Sequence, residues 1–136
     1  MKKILFLLML ASGYCLTAFA QKTPPQAVVA AFNQKFPGVA KADWDKEKNG
    51  AWEAEFEQND VDMSANFSAD GKWLETETEI KLTELPASVQ AALAGKKVKE
   101  AARIQRADGS TVYEAEVKRK DLLFDAAGKI LQESKD

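Results

Sequence analysis

The stretch Trp52-Glu53-Ala54-Glu55-Phe56 returns sixty-one positions later as Tyr113-Glu114-Ala115-Glu116-Val117. An alternation of apolar and acidic residues that recurs at a fixed distance restricts the chain to folds in which two copies of one strand-bearing unit are joined. The repeat extends beyond these strands. Val28 and Phe32 precede Val89 and Leu93 by the same sixty-one positions, whereas Phe67, Gly71, Trp73 and Leu74 precede Phe124, Gly128, Ile130 and Leu131 by fifty-seven. The second copy is therefore four residues tighter between strands.

Each copy reads as a helix followed by three or four strands. Thr23, Pro24 and Pro25 form a helix start, with Thr as a cap and proline in the first turn. Val28, Val29, Phe32 and Phe36 then follow helical spacing up to Pro37 and Gly38. From Lys41 the period becomes two: Ala42 and Trp44, then Trp52, Ala54 and Phe56, then Val61, Met63, Ala65 and Phe67 alternate with polar residues, separated by turns at Lys48-Asn49-Gly50 and Asn59-Asp60. Asp70-Gly71 marks a hairpin leading to a strand over 72–80, apolar at Leu74 and Ile80. Leu85 and Pro86 open the second unit, with Val89 and Leu93 on a helix that Gly95 ends. Strands containing Ile104, Thr111 to Lys118, Leu122 and Phe124, and Ile130 and Leu131 follow.

One helix on a small sheet cannot bury its apolar face well alone. The expected fold is α+β: two tandem α-β-β-β(β) repeats, about 25–84 and 85–136, forming one antiparallel sheet with both helices packed on one face. The other face is then left open, and Asp43, Glu53, Glu55, Glu75, Glu77, Glu79, Glu114 and Glu116 point to it as a solvated acidic surface.

The first twenty residues have the form of a secretory signal: Lys2 and Lys3, an apolar run from Ile4 to Leu10, and small residues ending on Ala18-Phe19-Ala20. The run is short for a membrane anchor and is broken by Ser12, Gly13 and Thr17. Ser12-Gly13-Tyr14 before Cys15 is a poor lipobox. Cleavage after Ala20 makes residues 21–136 one domain of 116 residues with net charge −4, located in the periplasm or outside the cell. It contains neither cysteine nor histidine, so stability rests on packing rather than disulfides, and the commonest general base and transition-metal ligand are both missing. Charge is uneven: 25–84 carries six Lys against thirteen Asp and Glu, while 85–136 carries ten bases against eight acids. An acidic total is the wrong sign for a nucleic-acid partner.

No catalytic, cofactor or metal site is expected. Ser64, Ser68, Ser88 and Ser110 have no histidine to activate them and no Gly-x-Ser-x-Gly turn around them. Paired carboxylates for glycosidase-type chemistry are available, but acids at alternate strand positions are first of all a solvated sheet face. Asn59, Asp60 and Asp62 are calcium-type ligands on a turn without the length or distal Glu of an EF-hand loop. The partner-contact candidates are Trp73, Glu75, Glu77, Glu53 and Glu55. For Trp73 two registers are open. A two-residue loop at Asp70-Gly71 pairs Phe67 with Leu74 and exposes Trp73 among Glu75 and Glu77. A three-residue loop ending at Gly71 pairs Phe67 with Trp73 and buries it, and drives the two glutamates inward unless a bulge intervenes. Exposure is the expectation adopted.

These motifs resemble those of the PepSY-like family of exported bacterial proteins, whose fold is similar to that of the beta-lactamase inhibitory protein. The resemblance is carried by Pro25 through Phe32, Phe36-Pro37-Gly38, Trp44, the Trp52 strand, Phe67, and Asp70-Gly71-Lys72-Trp73-Leu74 with Glu75, Thr76 and Glu77. Leu85-Pro86, Val89, Tyr113-Glu114 and Phe124-Asp125 with Gly128 extend it over nearly all of the chain after residue 20. It implies a small periplasmic or secreted module without enzymatic activity, one that binds or inhibits a periplasmic or extracellular protein. The alternative is a periplasmic small-ligand or cation-binding protein using the open sheet face. The disulfides of the beta-lactamase inhibitory protein have no counterpart here.

Overall fold

The computed structural model describes residues 23–135, and the expected signal segment 1–20 lies outside them. Helix α1 (Gln26–Lys35) is followed by β1 (Asp43–Lys46), β2 (Trp52–Gln58), β3 (Val61–Phe67) and β4 (Trp73–Glu79). A 3-10 turn (Leu82–Glu84) leads to α2 (Ala87–Ala92), β5 (Val98–Arg106), β6 (Thr111–Val117), β7 (Lys120–Phe124) and β8 (Ile130–Lys135). The eight strands form one antiparallel sheet in the order β1-β2-β3-β4-β5-β6-β7-β8. The α+β class expected from the sequence is what is observed.

Helix α1 starts on Pro25 rather than on a threonine cap, and no side-chain hydrogen bond closes its N-terminus. Proline fixes the backbone there without a cap, because its missing N–H would be unpaired in the first turn anyway. The helix ends where Phe36 leaves helical geometry before Pro37.

Register shows that both helices lie on one side. Ala54 pairs with Ala65, Ala65 with Thr76, Thr76 with Gln105, and farther along Ala101 with Ala115 and Ala115 with Leu122. Residues facing each other across strands share a face. On that face α1 packs Val28, Phe32 and Phe36 against Trp52, Ala54, Phe56, Ala65 and Phe67, whereas α2 packs Val89, with Leu85 and Leu93, against Ala101, Ala115, Val117, Leu122 and Phe124. These are two clusters, separated by a polar seam where Thr76 and Thr78 of β4 meet Gln105 and Arg103 of β5.

Turn chemistry fixes the hairpins. Asn59 and Asp60 both take positive φ, at 55° and 60°, in a two-residue connection between Gln58 and Val61. Gly71 closes a longer loop in which the Ser68 N–H donates to the Lys72 carbonyl. A Cβ on Gly71 would lie 2.6 Å from the Ala27 carbonyl oxygen of α1, and a Cβ on Gly128 would lie 2.5 Å from the Ser88 carbonyl oxygen of α2. In both halves a glycine lets a hairpin touch a helix backbone directly.

The hairpin register overturns the expected exposure of Trp73. Phe67 pairs with Trp73 and Asn66 with Glu75, so Leu74 is an extra residue in a bulge. The bulge shifts the alternation by one position. Trp73 therefore joins the helical side, while Glu75 and Glu77 stay on the other face. Leu74, assigned to the apolar phase by periodicity, is instead an exposed bulge residue at 39%. Phe124 pairs with Ile130 and Leu123 with Gln132, so Leu131 takes the same bulged position, and is 47% exposed.

Candidate functional site

Three rows of residues cross the face opposite the helices. One runs Asp45, Glu53, Asn66, Glu75, Arg106; the next Asp43, Glu55, Ser64, Glu77, Ile104, Val112; the third Glu79, Ala102, Glu114, Leu123, Gln132. Period-two alternation carries four of the five candidate contact residues to this face: Glu53, Glu55, Glu75 and Glu77. Trp73, the fifth, lies on the other side of the sheet, against α1.

The expectation of a fully solvated acidic face is corrected by burial. Glu53, Glu75, Glu77 and Glu114 are all buried, Glu55 is half-buried and Glu79 is exposed. Three apolar side chains sit among them: Ile104, Val112 and Leu123 form a cluster of their own. The sequence carried a sign of this in Leu122-Leu123-Phe124, where consecutive apolar residues mean that both faces of the strand are buried.

Burial and like charge alter the carboxyls. Glu53 is pushed up to about 7, first by desolvation, then by Glu47 and Glu55, with a Ser64 hydrogen bond acting the other way. Desolvation also raises Glu75, although Arg106 opposes it; the Arg106 Nε–H donates to Glu75 Oε2 at 3.4 Å. Glu77 is raised well above the ordinary carboxylate range, by desolvation and then by Glu114, Glu53, Glu75 and Asp121. Each of these carboxyls binds its proton more tightly than a free glutamate, because ionising it in a poorly solvated, negative environment is costly. Chemically the face can take up and release protons. Among the described residues, no three Asp, Glu, His or Cys side chains are grouped to hold a metal ion.

Trp73 has its own setting on the helical side. Its indole N–H donates to Thr76 Oγ1 at 2.9 Å, and the Lys35 ammonium lies 3.5 Å from the ring centroid. Beside it, a cavity of about 570 Å³ opens between the end of α1 and the β5–β6 hairpin, lined by Lys35, Met63, Trp73 and Gln105 among others. No helix among the described residues is long and apolar enough to cross a membrane.

A family model described as "Putative beta-lactamase-inhibitor-like, PepSY-like" matches residues 50–132, more than half of the chain. No curated protein matches it. Among solved structures, a protein of Bacteroides eggerthii described as "putative periplasmic" is similar with a TM-score of 0.75 at 22% identity, covering 82% of this chain and 88% of its own. A DUF2874 family protein of Bacteroides ovatus gives 0.72 at 21%, covering 82% and 86%. A BLIP-like protein of Bacteroides fragilis gives 0.67 at 24%, with the same coverages of 82% and 86%. At these identities the likeness concerns the fold.

Proposed function

The chain belongs to the PepSY-like family, and from that premise we propose that it is an exported, non-catalytic module that binds or inhibits another protein through the sheet face opposite its helices. The observation that carries this reading is the placement of Glu53, Glu55, Glu75 and Glu77 together on a face that neither helix packs against. Acidic residues around a small apolar center suit a protein partner of opposite charge, since charge complementarity steers encounter and selects among partners. Cleavage after Ala20 would deliver the module to the periplasm, the compartment named for the Bacteroides eggerthii relative.

Capture from a periplasmic fraction tests the reading. The double variant Glu55→Lys with Glu79→Lys changes the less buried part of the face. It is expected to lose a protein that the unchanged chain retains, while Asp60→Asn, in the β2–β3 turn, keeps it. Equal capture by all three forms would remove the proposal. The alternative is a small-ligand or cation carrier using the same face; a calcium-dependent rise of several degrees in melting temperature would favour it.

A further inference from the structure

The cavity beside Trp73 lies on the helical side of the sheet, away from the proposed partner face. Its volume of about 570 Å³ falls within the usual range of small-molecule sites. Its floor is Met63, Trp73 and Thr76, its walls Lys35, Phe36 and Gln58 on one side and the stretches 105–107 and 109–111 on the other. It sits in the seam between the two hydrophobic clusters, where neither α1 nor α2 covers the sheet.

The chemistry of the lining is selective. It contains no carboxylate, although the segment 25–84 that supplies half of it carries thirteen acids. Two basic residues border it. The Arg106 guanidinium turns to the opposite face of the sheet, where its cross-strand neighbour Glu75 holds it. The Lys35 ammonium has no carboxylate partner among the described residues and rests over the Trp73 ring. Gln105, exposed at the seam, makes no side-chain hydrogen bond to another described residue, and Gln58 makes only a long one of 3.4 Å to the Pro37 carbonyl. The site therefore offers one cation and amide donors beside an aromatic and thioether floor.

We propose that this cavity binds a small organic carboxylate, with the acid group on Lys35 and the Gln105 amide and its apolar portion against Trp73 and Met63. A metal cation is the wrong charge for this lining, and a fully apolar ligand would strand the ammonium and the amides without partners. A carboxylate satisfies both, because an ammonium and an amide donate to it while an adjoining hydrocarbon covers the ring. The Trp73 indole N–H is already engaged by Thr76, which fixes the ring plane that the ligand meets.

The test uses the purified protein and three probes, benzoate, hexanoate and N-acetylglycine, followed through the indole N–H resonance of Trp73 in proton–nitrogen correlation spectra. Trp73→Phe assigns that resonance. At least one acid is expected to shift it saturably with millimolar affinity, the range open to fragments of this size. The matching primary amide is expected to bind about fivefold or more weakly, and Lys35→Gln to erase that preference while leaving the melting temperature within a few degrees. The absence of a saturable shift with all three acids would overturn the proposal. So would equal binding of acid and amide, or a preference that survives Lys35→Gln.

Discussion

The two halves of the sheet carry the same sequence of elements on different cores. Under α1 the packing is aromatic: the Phe32 ring lies 5.0 Å from Phe56, 5.3 Å from Trp44 and 6.3 Å from Phe67. Under α2 it is mainly aliphatic, with Leu85, Val89, Leu93, Val117 and Leu122 around Phe124. Yet the backbone contacts agree, Gly71 against Ala27 and Gly128 against Ser88, and each half places a bulged leucine after its glycine loop. What is shared is where the backbones touch; what differs is how the space between them is filled. Side-chain volume can be met in several ways, whereas a carbonyl 2.6 Å from a Cβ position admits only glycine without movement.

The sharpest way to break this contrast is to empty each core at its fully buried phenylalanine. Phe67→Ala is expected to cost about 4–5 kcal/mol and Phe124→Ala about 3 kcal/mol, because Phe67 also loses ring contacts with Phe32 and Trp44. Urea denaturation measures both. Equal losses would show that the aromatic cluster adds nothing beyond burial.

A pH series probes the other face. Glu53 titrates near 7 when folded and near 4.5 when unfolded, so below about pH 4.5 both states hold the proton and there is no penalty. As pH rises from about 4.5 to 7 the unfolded state ionises first. Stability falls over that window, by about 3 kcal/mol for this residue. The raised Glu75 and Glu77 carboxyls act with the same sign. Melting temperatures at pH 5 and pH 8 should differ accordingly, and Glu53→Gln should flatten the difference; an unchanged slope would assign the effect elsewhere.

Smaller effects are expected from the glycines. Gly71→Ala and Gly128→Ala should each cost about 2 kcal/mol, from positive φ and the collision with the helix carbonyl. Unequal costs would mean that one half has room to yield. The mildest comparison concerns the two-residue turns. Lys118 and Arg119 take φ of 53° and 62°, the geometry that Asn59 and Asp60 take in the first half. Replacing them by Lys118→Asn and Arg119→Gly should raise stability by about 1 kcal/mol in thermal melts.

Much of this was legible in the chain. Alternation put Glu53, Glu55, Glu75 and Glu77 on one face, and Asn59-Asp60 and Gly71 located their turns. Trp73 was not legible, because parity counting assumes one residue per partner and Leu74 breaks that rule without altering composition. Gly71 at the end of a three-residue loop was the available sign, since such loops commonly carry a bulge. Nor did alternation reveal the burial of the glutamates. Ile104, Val112 and Leu123 come from three strands, and only the register brings them together.

The strict sheet order has a consequence for how the protein reaches this state. Every strand pairs with its neighbours in sequence, so six of the seven pairings close through short connections. Only β4 and β5 must wait for an intervening helix to be accommodated. Loop-closure entropy grows with the length enclosed, so the two groups of four strands should form early and the β4–β5 junction last. The polar seam at that junction is then the final boundary to be drawn, and the place where a slowed or strained chain would first come apart.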